Sequence, residues 1–226
     1  MRLYLVRHGE SYSNTGGTVM SYTDMPLTDK GREQARLAGQ YICPGLRTDV
    51  PLYAFCSDLM RTQQTGEEFM RALPAAPAMT VTADITEFHQ GVLEGMTWAD
   101  RMAKYPHIQT DVKLSEVEIP GGESYQDVKA RCRYFADTYL AKLEPDAAVL
   151  IFSHGLAMRV LVNVLLNRPD EDVNRLNWFE NTAVTEIEYC AEKGCGELLR
   201  LNDYTHLKEL GTADYGDWGV FCREPY

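Results

Sequence analysis

Twice in this chain a short β-rich run ends on a histidine followed by a glycine. Leu3-Tyr4-Leu5-Val6 leads into Arg7-His8-Gly9, and Val149-Leu150-Ile151-Phe152 leads into Ser153-His154-Gly155. Unbroken apolar runs of this length read as strands buried on both faces, the kind found in parallel sheets. Loops at the ends of such strands are where a scaffold places reactive groups. Arginine binds the forked oxygens of phosphate or carboxylate, and histidine acts as nucleophile or proton carrier near neutral pH. Glycine lets backbone approach a ligand. One junction alone also reads as a turn or a histidine capping a helix. Two in one parallel sheet bring His8 and His154 to a common pocket, provided both strands end at the same sheet edge.

The rest of the chain alternates strand-like and helix-like runs, the pattern of an α/β fold with a largely parallel sheet. Strands are predicted at Arg2–Val6, Tyr53–Cys56, Met79–Thr82, Ala148–Phe152 and Val184–Tyr189. Thr28 is a candidate N-cap for a helix running to about Tyr41, and a second helix runs from near Leu59 to before Pro74. Val128, Cys132, Phe135, Tyr139 and Leu143 make one apolar stripe on a third helix. Gly155 to Leu166 is apolar nearly all round, as expected of a helix buried against the sheet. Three segments look irregular: 13–26, 87–122 with a short helical piece near Thr97–Tyr105, and the tail after Asn202. The segment 87–122 is a candidate lid.

Composition narrows the function classes. With 22 Lys and Arg against 33 Asp and Glu the formal charge is −11, which argues against nucleic-acid partners and anionic membranes. An anionic substrate then needs a locally basic pocket. No run reaches the length of a membrane span, and no signal peptide is seen at the N-terminus. The six cysteines are irregularly spaced with no CxxC, so reduced thiols and a cytoplasmic location are expected. Cys190 and Cys195 flank a predicted turn at Lys193-Gly194.

Two further residues stand out. Arg61, in Ser57-Asp58-Leu59-Met60-Arg61-Thr62, falls in the first turn of its helix. A cation there mildly opposes the helix dipole, a cost that a bound anion would offset. Glu87, in Thr86-Glu87-Phe88-His89-Gln90-Gly91, is placed to serve as a general acid, although exposed loop glutamates are common. The helix start at Gly155 favours an anion. His89, His107 and His206 lack metal-ligand spacing, and there is no phosphate-loop, GxSxG or HExxH motif.

Together these residues resemble the histidine phosphatase superfamily, whose fold is phosphoglycerate-mutase-like. The resemblance runs from Arg7-His8-Gly9-Glu10-Ser11 through Asn14, Pro26-Leu27-Thr28, Gly31, the Ser57–Thr62 stretch, Glu87 and Gly121-Gly122-Glu123-Ser124. It continues through Ser153-His154-Gly155 and Asn181-Thr182 to Leu201-Asn202-Asp203 and His206, in the family's order. It implies a three-layer α/β/α fold with one domain over 1–207 and a separate tail over 208–226. It also implies that His8 takes the phosphoryl group and that Arg7, Arg61 and His154 hold it. Glu87 would protonate the leaving oxygen, Asn14 and Gly155 would contact phosphate or substrate, and no metal or cofactor would be needed.

The family contains mutases and phosphatases. Cofactor-dependent mutases carry a longer insertion after the acid glutamate, with extra basic contacts. Here the lid stretch supplies Arg101, Lys104 and Lys113, which favours a phosphatase acting on a small phosphomonoester. Mutase-type transfer is the alternative, and a non-catalytic phospho-ligand-binding module is a third reading. Phe88-His89-Gln90-Gly91 departs from the mutases' usual wording, which leaves the leaving group open. The aromatic tail is a candidate homodimer interface or an intramolecular cover.

Overall fold

A computed structural model describes residues 1–108 and 113–210, without the side chains of His107, Glu209 and Leu210. Tyr215, Trp218, Phe221 and Tyr226 of the tail lie outside the described residues. The elements in chain order are β1 (Arg2–Arg7), α1 (Tyr12–Thr15), α2 (Asp29–Ile42), β2 (Leu52–Cys56), α3 (Met60–Met70) and β3 (Met79–Val81). They continue with α4 (Trp98–Lys104), α5 (Tyr125–Thr138), β4 (Ala148–Ser153), α6 (Gly155–Leu165), β5 (Val184–Cys190) and β6 (Cys195–Asp203).

The six strands form one sheet in the order β3-β2-β4-β1-β5-β6. The β1, β2, β3 and β4 strands run parallel, while β5 pairs antiparallel with both β1 and β6. The strand period of two sorts the side chains into two cores. Leu3, Leu5, Val149 and Ile151 join Val128, Cys132 and Phe135 of α5 and Val160 and Leu161 of α6 on one face. Tyr4, Val6, Leu150 and Phe152 join Ala38 and Ile42 of α2 and Phe69 of α3 on the other. The result is the three-layer α/β/α arrangement, helices on both faces of the sheet. Burial pushes the Cys43, Cys56 and Cys132 thiols up to about 12, so they act as core groups rather than nucleophiles.

The helix expectations hold with shifted ends. The Thr28 hydroxyl accepts from Gly31 N–H and caps α2. The long-helix stripe stops short of its predicted end: α5 closes at Thr138, and Tyr139 and Leu143 pack on the core from beyond it. Two elements went unforeseen. Within the irregular segment 13–26, α1 is a single capped turn. The β6 edge strand carries apolar residues that are partly buried or, at Leu199, exposed, with no clear alternation, and Cys195 at its start is the register partner of Cys190. Both are free thiols. No helix among the described residues is long and apolar enough to cross a membrane.

Candidate active site

Because β1 and β4 are adjacent, parallel and in register from Arg2↔Ala148 to Arg7↔Ser153, their C-terminal ends lie side by side. The condition set by the two junctions is met. The His8 and His154 rings meet edge to face with centroids 5.2 Å apart. Ser57 follows β2 at the same edge, and residues 82–87 lead away from the end of β3. The antiparallel β5 begins there too, which brings Asn181 and Thr182 to the site. Ligands in open α/β sheets bind at this carboxyl edge.

Backbone and side-chain bonds fix His8. Its N–H donates to Ser153 O at 2.9 Å, and its carbonyl accepts from Asn181 Nδ2 at 2.8 Å. Thr182, at φ +58°, donates its N–H to Arg7 O at 3.0 Å. That left-handed backbone is uncommon for a β-branched residue and is held by the surrounding bonds. The Nδ1 atom of His8 lies 2.8 Å from Gly9 O. A carbonyl can only accept, so Nδ1 carries the proton and Nε2 is left with its lone pair. Gly9 also donates to Thr65 Oγ1 at 3.0 Å, and a Cβ there would lie 2.4 Å from Gly31 O. Only glycine lets the His8 loop press this closely on the start of α2. Burial, reinforced by the guanidinium groups of Arg61 and Arg7, holds the His8 imidazole well below its ordinary range.

The cations converge on the same place. Arg7 is buried, donates to Phe179 O, and stacks over the Trp178 ring at 5.1 Å. Arg61 is 1% exposed, donating Nη2 to Ser21 O at 2.5 Å and Nη1 to Thr23 O at 3.4 Å. Both acceptors are neutral carbonyls, and the guanidinium Nε has no protein partner. His154 is fully buried, with Nε2 2.7 Å from Ser57 Oγ and Nδ1 without a protein partner. Burial first, then Arg61 and His8, hold its imidazole well below the ordinary range. Buried polar atoms without partners are rare, and their clustering here marks where a ligand's oxygens would sit.

Glu87 sits at the base of the neighbouring cavity with its carboxylate tied to the start of α6. It accepts from Ala157 N at 3.0 Å, Leu156 N at 3.4 Å and Phe88 N at 2.9 Å. The Leu156 and Ala157 N–H groups at the start of α6 are thus engaged by the protein's own Glu87 side chain. Gly155 serves packing: a Cβ there would meet the Trp178 ring at 3.2 Å and Arg7 Nε at 3.4 Å. Arg131 of α5 steadies the Glu87 segment by donating to Asp84 O at 3.0 Å and Glu87 O at 3.1 Å. Asn14 commits its Oδ1 to Ser11 N and Ser11 Oγ, capping α1, and lines the cavity wall with the rest of its amide.

Several contributors escaped the sequence reading. Ser57, Thr65 and Asn181 support the histidines from distant positions, and Trp178 walls Arg7. Glu94 receives Ser21 N and Oγ, Tyr22 N, and Thr23 N and Oγ1 at 2.6–3.1 Å. Burial alone would raise its carboxyl, but these bonds outweigh burial and hold it below the ordinary range. Glu94 thus fixes the very loop whose carbonyls grip Arg61. Ser57 and Asn181 stood in recognisable motifs without a role, whereas nothing local marked Glu94. His206 lies 3.0 Å from Thr182 Oγ1, beneath the Asn181-Thr182 turn that reaches His8.

Among the described residues no three His, Cys, Asp or Glu are arranged to hold a metal ion. The geometry supports capture of a phosphoryl group by His8 between fixed cations, with a carboxylate nearby for proton transfer.

Comparison with known proteins agrees. A 2,3-bisphosphoglycerate-dependent phosphoglycerate mutase of Gloeobacter violaceus is 35% identical over 195 residues, covering 83% of this chain and 82% of that protein. The corresponding mutase of Rhizobium meliloti is 32% identical over 180 residues, covering 77% and 84%. Among solved structures, a mycobacterial glucosyl-3-phosphoglycerate phosphatase superposes with a TM-score of 0.75 at 27% identity, over 89% of this chain and 98% of that one. Bacillus stearothermophilus YhfR shares the fold with a TM-score of 0.79 at 24% identity, over 91% and 98%. The family model for branch 1 matches residues 3–204, and the chain belongs to the histidine phosphatase superfamily.

Proposed function

We propose that this protein hydrolyses a small phosphomonoester through a phosphohistidine formed on His8. His8 Nε2 attacks phosphorus in line with the ester oxygen, the N–P bond forms, and the P–O bond breaks. Glu87 gives its proton to the departing oxygen. Arg7, Arg61 and His154 hold the equatorial oxygens where charge gathers in the transition state. Once the alcohol leaves, the Glu87 carboxylate takes a proton from water as the water oxygen attacks phosphorus. The N–P bond breaks, inorganic phosphate leaves, and Glu87 is again protonated for the next cycle. Asn14, through its amide Nδ2, contacts the substrate at the cavity wall.

The observation that carries phosphoryl transfer is the pairing of a backbone-oriented His8, its Nε2 lone pair free, with the buried guanidinium groups of Arg7 and Arg61, which hold its imidazole unprotonated. What favours water as the acceptor is the cavity beside Glu87. It measures about 200 Å³, and among the described residues that line it Arg101 is the single cation. A mutase must retain a doubly phosphorylated intermediate while its two ends exchange places, which calls for a second group of cations. Mutase-type transfer is the second reading, favoured by the 35% identity to a mutase over most of both chains.

A phosphate-release assay over a panel of small phosphomonoesters, run beside a phosphoglycerate interconversion assay, separates the two. Phosphate release that falls by on the order of 10⁴-fold or more in His8→Ala supports the hydrolase. Interconversion without release supports the mutase. Folded protein with neither activity on any substrate, and binding of phosphomonoesters without turnover, would leave a binding module.

A further inference from the structure

Two thiols stand apart from the others. Cys43, Cys56 and Cys132 are buried in the two cores, whereas Cys190 and Cys195 are half-buried. These two face each other on the last rung of the β5–β6 hairpin, and the register is unbroken from Ile187↔Leu198 to Cys190↔Cys195. Opposite residues of an antiparallel pair send their side chains to the same face, with Cα atoms about 4.5–5.5 Å apart. A disulfide needs Cα atoms about 4.4–6.8 Å apart, so the hairpin backbone already supplies the spacing. The loop between them is fixed rather than slack. Ala191–Lys193 form one tight turn, Gly194 at φ +60° closes it, and Gly194 N–H donates to Ala191 O at 3.1 Å. Cys190 also lines an open cavity of about 640 Å³ with Met1, Leu143, Pro145 and Tyr189, through which a small molecule can approach the pair.

We propose that Cys190 and Cys195 are a reversible dithiol–disulfide site, which a small-molecule disulfide closes and which then staples the edge strand β6 to β5. One cysteine thiolate attacks a sulfur of the small disulfide RSSR. Its S–S bond breaks, one RS⁻ leaves, and a mixed disulfide forms on the protein. The second thiolate attacks the protein-side sulfur, the mixed S–S bond breaks, and the second RS⁻ leaves. The two cysteine protons end on two RSH; the cysteines are oxidised and RSSR is reduced. Excess small thiol runs the same steps backwards.

The staple bears on an edge. Among the described residues β6 pairs with β5 alone, and register shifts interrupt that pairing between Val184 and Ile187. The far end of β6 carries Asn202, whose Oδ1 accepts from Glu180 N at 2.9 Å and whose Nδ2 donates to Trp178 O at 3.1 Å. Pinning β6 at Cys195 therefore steadies the strand that holds the Trp178 segment beside Arg7. The thiols themselves lie at the opposite end of β5 from His8, so closure does not enter the chemistry.

The test incubates the full chain with oxidised glutathione, blocks the remaining thiols with N-ethylmaleimide and digests with trypsin. Cleavage after Arg175, Lys193 and Arg200 separates the two cysteines, so closure is read as peptides 176–193 and 194–200 joined by an S–S bond. That species should dominate and should disappear on reduction with dithiothreitol. Cys195→Ser removes the second step, so Cys190 should there keep glutathione as a mixed disulfide. In the oxidised chain, hydrogen exchange of the amides over 187–198 should slow about 10-fold or more, and it should not slow in oxidant-treated Cys195→Ser. Cys190 and Cys195 found reduced, each carrying its own glutathione, or joined to another cysteine such as Cys222 overturns the site. A closed pair with unchanged hydrogen exchange overturns the staple.

Discussion

The phosphate cradle and the cavity beside it are built by opposite means. The cradle hangs from regular structure: His8, Ser57 and His154 each lie one residue past a strand, and Arg61 is in the first turn of α3. Its groups are buried and their acceptors are mostly backbone carbonyls, so their geometry is set by the sheet itself. The cavity wall is made mostly of two irregular segments, 13–26 and 87–122, with Leu156 and Trp178 completing it. Thr18 bridges Thr97, Val19 exchanges backbone bonds with Met96 and Gly95, and Glu94 gathers residues 21–23. On the proposed reading, regular structure fixes the chemistry and the choice of leaving group falls to loop segments, where sequence can change without disturbing the sheet.

If the cradle carries the chemistry, damage there should dominate. Arg61→Ala should lower kcat/KM by about 10²- to 10³-fold, since it removes a charge fixed toward the transition state. The loss should appear with every substrate, and a loss confined to one leaving group would erase the distinction between cradle and wall.

Acid should find the next weakness. Burial lowers His206 to about 4 in the folded protein, with Asp203 opposing, while an unfolded histidine titrates near its ordinary 6.5. His8 and His154 are lowered in the same direction. The unfolded chain therefore binds protons that the folded one refuses. Stability is full above about pH 6.5 and falls as pH drops toward 4, by a few kcal/mol for His206 alone. Urea midpoints across that window check it, and a flat profile would show these rings to be solvated. The same lowering keeps His8 unprotonated, so its protonation should leave no acidic limb in kcat/KM near pH 6.5.

The smallest effect crosses the boundary between the two regions. Glu94→Gln should cost about tenfold in kcat/KM by loosening the 21–23 loop that holds Arg61. In an Arg61→Ala background the same change should cost little more, because the two act as one unit. Additive losses would separate Glu94 from Arg61.

The same contrast explains what the sequence made legible. His8, His154 and Arg61 could be placed because strand-then-loop and first-turn positions follow from local pattern, and parallel pairing then does the rest. The family resemblance supplied the roles, and Glu87 came with it. Asn14 was assigned to phosphate or substrate, while its Oδ1 caps α1, a competition that residue type cannot reveal. Gly155 was assigned to phosphate or substrate, while the next two N–H groups of its helix start go to Glu87, a partner from a distant segment. Glu94 and Trp178 gave no local signal, because their importance lies in contacts with segments tens of residues or more away in the chain. The β6 strand was missed for a related reason: a partly exposed edge strand lacks the buried alternation that marks its neighbours.

The most direct measurement is to trap the intermediate. Rapid quench at alkaline pH during turnover of a good phosphomonoester, followed by peptide mass spectrometry, would locate any phosphoryl group on the protein. The account predicts one acid-labile phosphoryl group on His8, absent from His8→Ala, that decays with release of inorganic phosphate. Turnover with no label on His8, or label persisting elsewhere in His8→Ala, would contradict it.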